Sequence, residues 1–158
     1  MKALIQKIRQ SSLSIKYKTI IVDIIGYLFV LLFLYTAANK IWRFHNFEWV
    51  LSTLPVIGEL SKLIAYAVPG AELLTTALLL SPVGRKVGLL FSFLLMLAFT
   101  AYLLFMVLYT NDLPCNCGGV ISKLSWKQHI MFNVFFLILS LMAIKFDQDI
   151  ARAKQAKR

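Results

Sequence analysis

The chain alternates long apolar runs with short polar segments that carry most of its charged residues. A helix needs about 20 apolar residues to cross the hydrocarbon core of a bilayer, and four runs approach or exceed that length. They lie at residues 19–38, 63–80, 87–109 and 126–144. The pattern predicts an all-α integral membrane protein, a four-helix bundle over residues 19–145, with a basic segment at 1–18 and a basic tail at 146–158.

The overall composition also indicates a membrane protein. Hydrophobic residues make up 59% of the chain and charged residues 15%, with a mean hydropathy of +0.76, far from an ordinary soluble domain. The net charge of +10 is spread between the apolar runs and does not form one basic face. We therefore expect a lipid bilayer with anionic headgroups as the partner of these charges, and no nucleic acid.

Four spans place both termini on the same side of the membrane. If that side is the cytoplasm, twelve Lys and Arg residues lie inside and five outside, which is the distribution of the positive-inside rule. Trp42, Trp49 and Trp126 then lie at the outer interface, where aromatic residues concentrate. The loop at 110–124, which holds both cysteines, is predicted to face the exterior, where disulfides persist.

Capping residues predict two further helix boundaries. Asn46 is expected to cap a short interfacial helix that ends near Pro55. Ser125 and Gln128 form a capping box and predict the start of the fourth membrane helix. That helix is expected to end near Ile144, which gives it a length close to the lower limit for crossing the hydrocarbon core.

Glu72 lies near the middle of the second span, where a charged carboxylate costs roughly 2.5–3.5 kcal/mol. The group must be protonated, paired or in contact with water, and Lys40 at the outer end of the first span is the predicted partner. A functional role and simple pairing of helices both account for such a residue. Asp23, near the opposite boundary of the first span, is expected to extend toward Lys18.

Three polar residues of the fourth helix, His129, Asn133 and Ser140, fall within about 40° of one another around the helix axis. This polar stripe is predicted to point into the bundle. His129 is also close in sequence to the cysteines, and two roles are open to it. It accepts a proton from a thiol, or it forms a hydrogen bond at the interface.

Both cysteines lie in the sequence Cys115-Asn116-Cys117-Gly118-Gly119. A disulfide needs Cα atoms roughly 4.4–6.8 Å apart, so this pair closes only in a turn, which the asparagine and glycines favour. A ring this small stabilises a fold by only about 1.5 kcal/mol before strain is subtracted. The spacing favours a redox-active pair over a structural or intermolecular bridge, and over unreactive thiols.

The neighbouring residues bear on the chemistry of the thiols. Lys123, Lys127 and the N-terminus of the fourth helix favour the thiolate form, whereas Asp112 opposes it. Two thiolates with His129 fall short of a closed four-ligand zinc site. We therefore expect no metal.

Three features occur in order along the chain. They are Ala38-Asn39-Lys40 at the end of the first helix, Pro69 followed by Glu72 in the second, and Cys115-Asn116-Cys117-Gly118 before the fourth. With the four-span topology, they resemble the MauE/DoxX family of four-helix membrane proteins over residues 20–145. In many relatives an aromatic residue stands between the second cysteine and the next glycine, whereas Gly118 follows Cys117 directly here.

The resemblance implies a thiol–disulfide redox protein that supports disulfide formation in exported proteins, with Cys115 and Cys117 as its catalytic pair. It also implies a multi-pass protein of the bacterial inner membrane, with a periplasmic thioredoxin-like partner or exported client. In the methylamine-utilisation branch, the client is a disulfide-rich dehydrogenase subunit. DoxX-like relatives are linked to quinone-coupled sulfur oxidation.

Thiol–disulfide exchange conserves electrons, so the cysteine pair needs a source or a sink of electrons. The chain has no second cysteine pair, which leaves a partner protein or a small carrier such as a quinone held between helices. Two other functions remain open. One is a non-catalytic subunit or scaffold of a larger membrane complex, and the other is a small transporter with Glu72 as its proton site.

The predicted orientation can be tested with a membrane-impermeant thiol reagent. After mild reduction, the reagent should label Cys115 or Cys117 in intact cells, because the loop at 110–124 is expected outside. Labelling is measured as a mass shift of the protein, with the Cys115→Ser/Cys117→Ser variant as the unlabelled control. Labelling that appears only after the inner membrane is permeabilised would reverse the orientation.

Overall fold

The computed structural model describes residues 2–53, 58–109 and 126–155, with side chains described for 14–53, 58–108 and 127–155. Over these residues the chain is helical and contains no strand. The helices are α1 (Lys2–Trp42), α2 (Phe44–Ser52), α3 (Ser61–Leu80), α4 (Arg85–Tyr109) and α5 (Trp126–Gln155), with a 3-10 turn at Gly58–Leu60. The predicted all-α class is confirmed.

Four stretches of the described chain are helical, long and apolar enough to cross a membrane. They are Ser14–Trp42, Gly58–Leu80, Arg85–Leu108 and Lys127–Gln155. Each carries large apolar side chains on its outer surface as well as in the interior, because one side packs in the bundle and the other faces lipid. The prediction of four spans in this order is confirmed.

The four long helices form a ring. α1 packs against α3 and α5, and α4 packs against the same two helices from the opposite side. The close approach of α3 and α4 depends on Gly88, where a Cβ atom would lie 2.9 Å from the Leu79 backbone nitrogen. Any larger residue at this position would push the two helices apart. The short helix α2 packs mainly against α3.

Two apolar clusters join the helices of the ring. In the larger one, Phe29 and Phe33 of α1 are fully buried and pack with Phe136 of α5. The Phe29 and Phe136 rings meet edge to face, with 5.3 Å between their centroids, an arrangement that aromatic rings prefer. The smaller cluster contains Leu51 of α2 and Met106 of α4. It holds the short helix against the end of the bundle.

Ion pairs join three helices at the end of the bundle where α4 begins, which we call the Arg85 end. Arg85 contacts Asp23 of α1 at 3.0 Å and Asp147 of α5 at 2.7 Å, and Lys18 of α1 pairs with Asp149 of α5. The expected contact between Asp23 and Lys18 is therefore wrong. Asp23 faces the first turn of α4, whereas Lys18 faces the last turns of α5.

These contacts define how the helices run. Because Lys18 and Asp149 touch, the first span begins and the last span ends at the same end of the bundle. The beginning of α4 lies there too, since Arg85 reaches both helices. The side of the membrane that this end faces stays a prediction.

Two local predictions are wrong. α2 begins at Phe44, with no side-chain capping bond at its N-terminus, so Asn46 lies within the helix and does not cap it. α5 has 30 residues and extends well beyond the predicted end near Ile144, because its last turns are held to α1 and α4 by the ion pairs of the Arg85 end. It therefore continues into the segment predicted as a basic tail. The predicted capping residue Ser125 lies outside the described residues.

The Arg85→Gln variant should destabilise the bundle, because it leaves Asp147, whose side chain is 7% exposed, without its charged partner. Removing one member of a buried ion pair costs about 3–5 kcal/mol, and we expect the lower end because Arg85 is partly exposed. Thermal unfolding in detergent measures the loss. The exposed neighbour Lys86 provides the control, Lys86→Gln, and equal melting temperatures of the two variants would contradict the role of Arg85.

Candidate functional site

A buried ion pair joins the first and second spans. Lys40 Nζ donates to Glu72 Oε1 at 2.6 Å. The Glu72 side chain is fully buried, and that of Lys40 is 18% exposed. The pairing predicted from the sequence is confirmed.

The local sequence explains why these two side chains meet. Ala65, Pro69, Glu72 and Thr76 recur at helical spacing on the buried face of α3, so the carboxylate points into the bundle. Lys40 is the basic residue in the last turn of α1, where unsatisfied carbonyl groups favour a cation. Its long side chain reaches back along the bundle toward the middle of α3.

Aromatic rings from two other helices surround the lysine. Lys40 Nζ lies 5.3 Å from the ring centroid of Phe99 on α4 and 5.9 Å from that of Phe47 on α2. Both distances are within the range of a cation–π interaction. Lys40 belongs to α1, and its ammonium group therefore joins that helix to α2, α3 and α4.

The carboxylate of Glu72 is only half satisfied among the described residues. Its Oε2 atom is buried and accepts no hydrogen bond from them. Thr36 of α1 is a neighbour of the carboxylate, but its hydroxyl donates to the Phe33 carbonyl at 3.3 Å. Thr76, one turn along α3, donates to the backbone carbonyl of Glu72 at 2.9 Å. Lys40 is therefore the residue that compensates the buried charge.

A cavity of about 270 Å³ lies beside the ion pair and is lined by residues from all five helices. Its residues with polar side-chain groups are Thr36, Asn39, Lys40, Arg43, Asn46, Tyr102, His129 and Asn133. Its apolar walls include Val68 of α3, Phe99 of α4 and Phe132 of α5. Lys40 lines this cavity, whereas Glu72 does not. We call this the Lys40 cavity, and the end of the bundle that holds it the Lys40 end.

The polar stripe predicted on the fourth span points into the bundle, as expected. His129 and Asn133 line the Lys40 cavity, and Asn133 is 5% exposed. Ser140 is fully buried, and its hydroxyl donates to the Leu137 carbonyl of its own helix at 2.7 Å. Ser140 is therefore part of the packed core, while His129 and Asn133 belong to the site.

The predicted catalytic pair, Cys115 and Cys117, lies outside the described residues. The segment that carries it follows Tyr109 at the end of α4 and precedes Trp126 at the start of α5. Tyr102 and His129, which line the Lys40 cavity, are within two helical turns of these two ends. Both ends of this segment are thus attached to the Lys40 end of the bundle.

Several residues of the site were not identified from the sequence. They are Phe47 and Phe99 beside the ammonium group, and Asn39, Arg43 and Asn46 in the cavity lining. A usable signal existed for α2, because Arg43, Asn46, Phe47 and Val50 recur at helical spacing and so share one face. The signal for Phe99 is weaker: it lies seven residues after Ser92, a buried polar residue of α4, and so close to the same side of the helix.

The chemistry of the cavity is dominated by hydrogen-bond donors. An ammonium group has three donors and no acceptor, and one of those of Lys40 is used by Glu72. Arg43 adds a guanidinium group, and Asn46 and Asn133 add amide donors, whereas the Asn39 amide nitrogen already donates to the Tyr35 carbonyl at 2.8 Å. Among the residues that the structure describes, no acidic side chain lines the cavity. Among the described residues, no group of three His, Cys, Asp or Glu side chains is placed to hold a metal ion.

The fold and this site define a multi-pass helical membrane protein with a buried ion pair beside a donor-lined cavity. The family model described as Methylamine utilisation protein MauE matches residues 18–146, and the chain therefore belongs to the MauE family. No curated protein and no solved structure matched the chain. The likeness to the DoxX branch stays a prediction.

A double-mutant cycle tests the buried pair. Lys40→Met should lower the free energy of unfolding by about 3 kcal/mol, because it leaves a buried carboxylate without a partner. Glu72→Gln should cost less, since the amide keeps much of the hydrogen-bonding capacity. The double variant should be more stable than Lys40→Met alone, as measured by thermal unfolding in detergent.

The control for this cycle is Lys62→Met, which removes an exposed lysine from the first turn of α3. Its combination with Glu72→Gln should be additive, because no contact links the two positions. Additivity of Lys40→Met with Glu72→Gln would mean that the ion pair does not contribute to stability.

Proposed function

We propose that this chain is a membrane-embedded thiol–disulfide redox protein that supports disulfide formation in exported proteins, with Cys115 and Cys117 as its reactive pair. The observation that carries the proposal is that both cysteines lie within residues 18–146, the segment that matches the MauE family. A thioredoxin-fold protein or an exported client outside the membrane is the proposed partner.

The charges at the Lys40 end support reactive thiols. The cysteine loop joins α4 to the N-terminus of α5, and a helix N-terminus carries partial positive charge. Lys127 adds a full positive charge in the first turn of α5, and its side chain is exposed. Positive surroundings favour the thiolate, which is the form that attacks a disulfide.

Exchange between the loop and a partner takes two steps that conserve electrons. A thiolate on one protein attacks the disulfide of the other, which forms a mixed disulfide and releases one thiolate. The second thiol of the attacking protein then displaces its partner from the mixed disulfide. One dithiol and one disulfide have exchanged places, so two electrons must enter or leave the loop pair before the next cycle.

Formation of disulfides requires the loop to face an oxidising compartment. We propose a bacterial inner-membrane protein with both termini in the cytoplasm. The support is the excess of Lys and Arg at the Arg85 end, since twelve of these residues fall on that side of the spans and five on the other. This is the distribution expected from the positive-inside rule, and the cysteine loop is attached at the opposite end.

A non-catalytic subunit of a larger membrane complex is the alternative. In that case Cys115 and Cys117 form one fixed disulfide. The described helices are already joined by buried aromatic packing and by ion pairs at the Arg85 end and beside the Lys40 cavity. A fixed bond in so small a ring would add little to this stability, which favours the redox-active pair.

Serine variants of the two cysteines test the proposal. Cys115→Ser and Cys117→Ser should each abolish disulfide formation in exported proteins, and one of them should accumulate a mixed disulfide with a partner, because the resolving thiol is missing. Non-reducing gels of cells that carry each variant measure the trapped species. Ser122→Ala in the same loop is the control and should trap nothing.

Thermal unfolding of the same variants distinguishes a redox-active cysteine pair from a structural disulfide. A redox-active pair predicts melting temperatures close to that of the wild type, whereas a structural disulfide predicts a clear decrease in both variants. Full activity of the Cys115→Ser/Cys117→Ser double variant would end the redox proposal.

A further inference from the structure

The Lys40 cavity combines a donor-rich polar region with apolar walls. Lys40, His129 and Asn133 come from α1 and α5, while Val68, Phe99 and Phe132 supply apolar surface from α3, α4 and α5. Such a combination of apolar lining and a few converging polar groups is typical of small-molecule sites. The chemistry of the lining identifies the class of ligand that would bind there.

The polar groups select a ligand headgroup that accepts hydrogen bonds. Lys40 has two donors left after its bond to Glu72, and it is one of the residues that line the cavity. Asn133 also lines the cavity and is almost completely buried, so bulk water competes little for its amide. A molecule with carbonyl oxygens would satisfy such donors, whereas an apolar molecule would leave them without partners.

The ion pair disfavours a headgroup with a formal negative charge. The charge of Lys40 is already compensated by Glu72 at 2.6 Å. A second anion at the ammonium group would lie close to the buried carboxylate, and like charges repel strongly where water is excluded. Arg43 also lines the cavity, but its side chain is exposed, so its charge is solvated.

We infer that the Lys40 cavity binds the carbonyl headgroup of a lipid-soluble quinone, which serves as the two-electron carrier for the cysteine pair. This inference rests on the proposed function. The volume of about 270 Å³ is slightly below the range of roughly 300–1,000 Å³ for pockets that hold drug-sized ligands. It therefore suits a single ring, with an apolar tail continuing along the helices.

The electron and proton balance closes with this class of carrier. When Cys115 and Cys117 form their disulfide, the two thiols lose two electrons and two protons. A quinone takes up two electrons and two protons and leaves as the quinol. The chain's own residues hold the carbonyl groups through Lys40 and Asn133 and keep the ring beside the end of the bundle to which the cysteine loop is attached.

Binding can be measured without any turnover. The purified full-length protein in detergent is titrated with a benzoquinone that carries a ten-carbon tail, and binding is followed by calorimetry. Decylbenzene has the tail but no carbonyl groups, and dodecanoate has a charged headgroup. We expect the quinone to bind at least about tenfold more tightly than either, a difference of about 1.4 kcal/mol.

Two substitutions and one control test whether the quinone binds in the Lys40 cavity. Ala98→Phe narrows the open side of the Lys40 cavity from α4, since Ala98 is exposed and part of its lining, and should weaken quinone binding at least about tenfold. Leu97→Phe is the matched control, because Leu97 is also exposed on the same helix but does not line the cavity. Asn133→Leu removes a buried donor and should weaken quinone binding while leaving that of decylbenzene unchanged.

Each result of these binding measurements either supports or overturns the inference. Equal affinity for quinone and decylbenzene, tighter binding of dodecanoate, or unchanged binding in both Ala98→Phe and Asn133→Leu would overturn the inference. Folding of each variant is confirmed by its melting temperature and by gel filtration. The Cys115→Ser/Cys117→Ser variant should bind the quinone as the wild type does. The quinone site and the redox role of the cysteines can therefore fail separately.

Discussion

A carboxylate in the middle of the second span is the constraint on which this structure depends. Glu72 is fully buried, and lipid on the outside of the bundle cannot solvate it. Its compensation by Lys40 requires the last turn of α1 to lie beside the middle of α3. That requirement also brings Phe47 and Phe99 to the ammonium group, so one buried charge positions four helices around the cavity.

Ion pairs at two depths along the bundle contribute more to positioning the helices here than they do in soluble bundles. Lipid is as apolar as the side chains it surrounds, so helices in a membrane gain little from burying apolar surface against each other. Apolar packing such as that of Phe29 with Phe136 holds helices together but tolerates small shifts along their axes. The Lys40–Glu72 contact and the contacts of Arg85 do not, and they therefore set the register of the spans.

The sequence predicted the parts of the fold that follow from the lengths of the apolar runs and from the free-energy cost of a charge in lipid. Four spans follow from the lengths of the apolar runs, and the Lys40–Glu72 pair follows from the penalty for a lone carboxylate in lipid. The partner of Asp23 did not follow, because Lys18 and Arg85 are both basic residues near the same boundary and only tertiary packing chooses between them. The length of α5 was underestimated for a related reason. The acids Asp147 and Asp149 acquire partners only when α5 packs against α1 and α4.

The arrangement separates the residues that hold the bundle together from those that carry the proposed chemistry. Stability resides in side chains within the spans, in aromatic contacts and in ion pairs at two levels. The cysteine pair lies in the segment between the end of α4 and the start of α5, and a disulfide ring of this size would contribute little to folding. The proposed thiol–disulfide exchange requires a scaffold that survives either redox state of the cysteine pair. The contacts that hold the described helices together do not involve the cysteines, so the proposed cycle opens and closes the pair without loosening them.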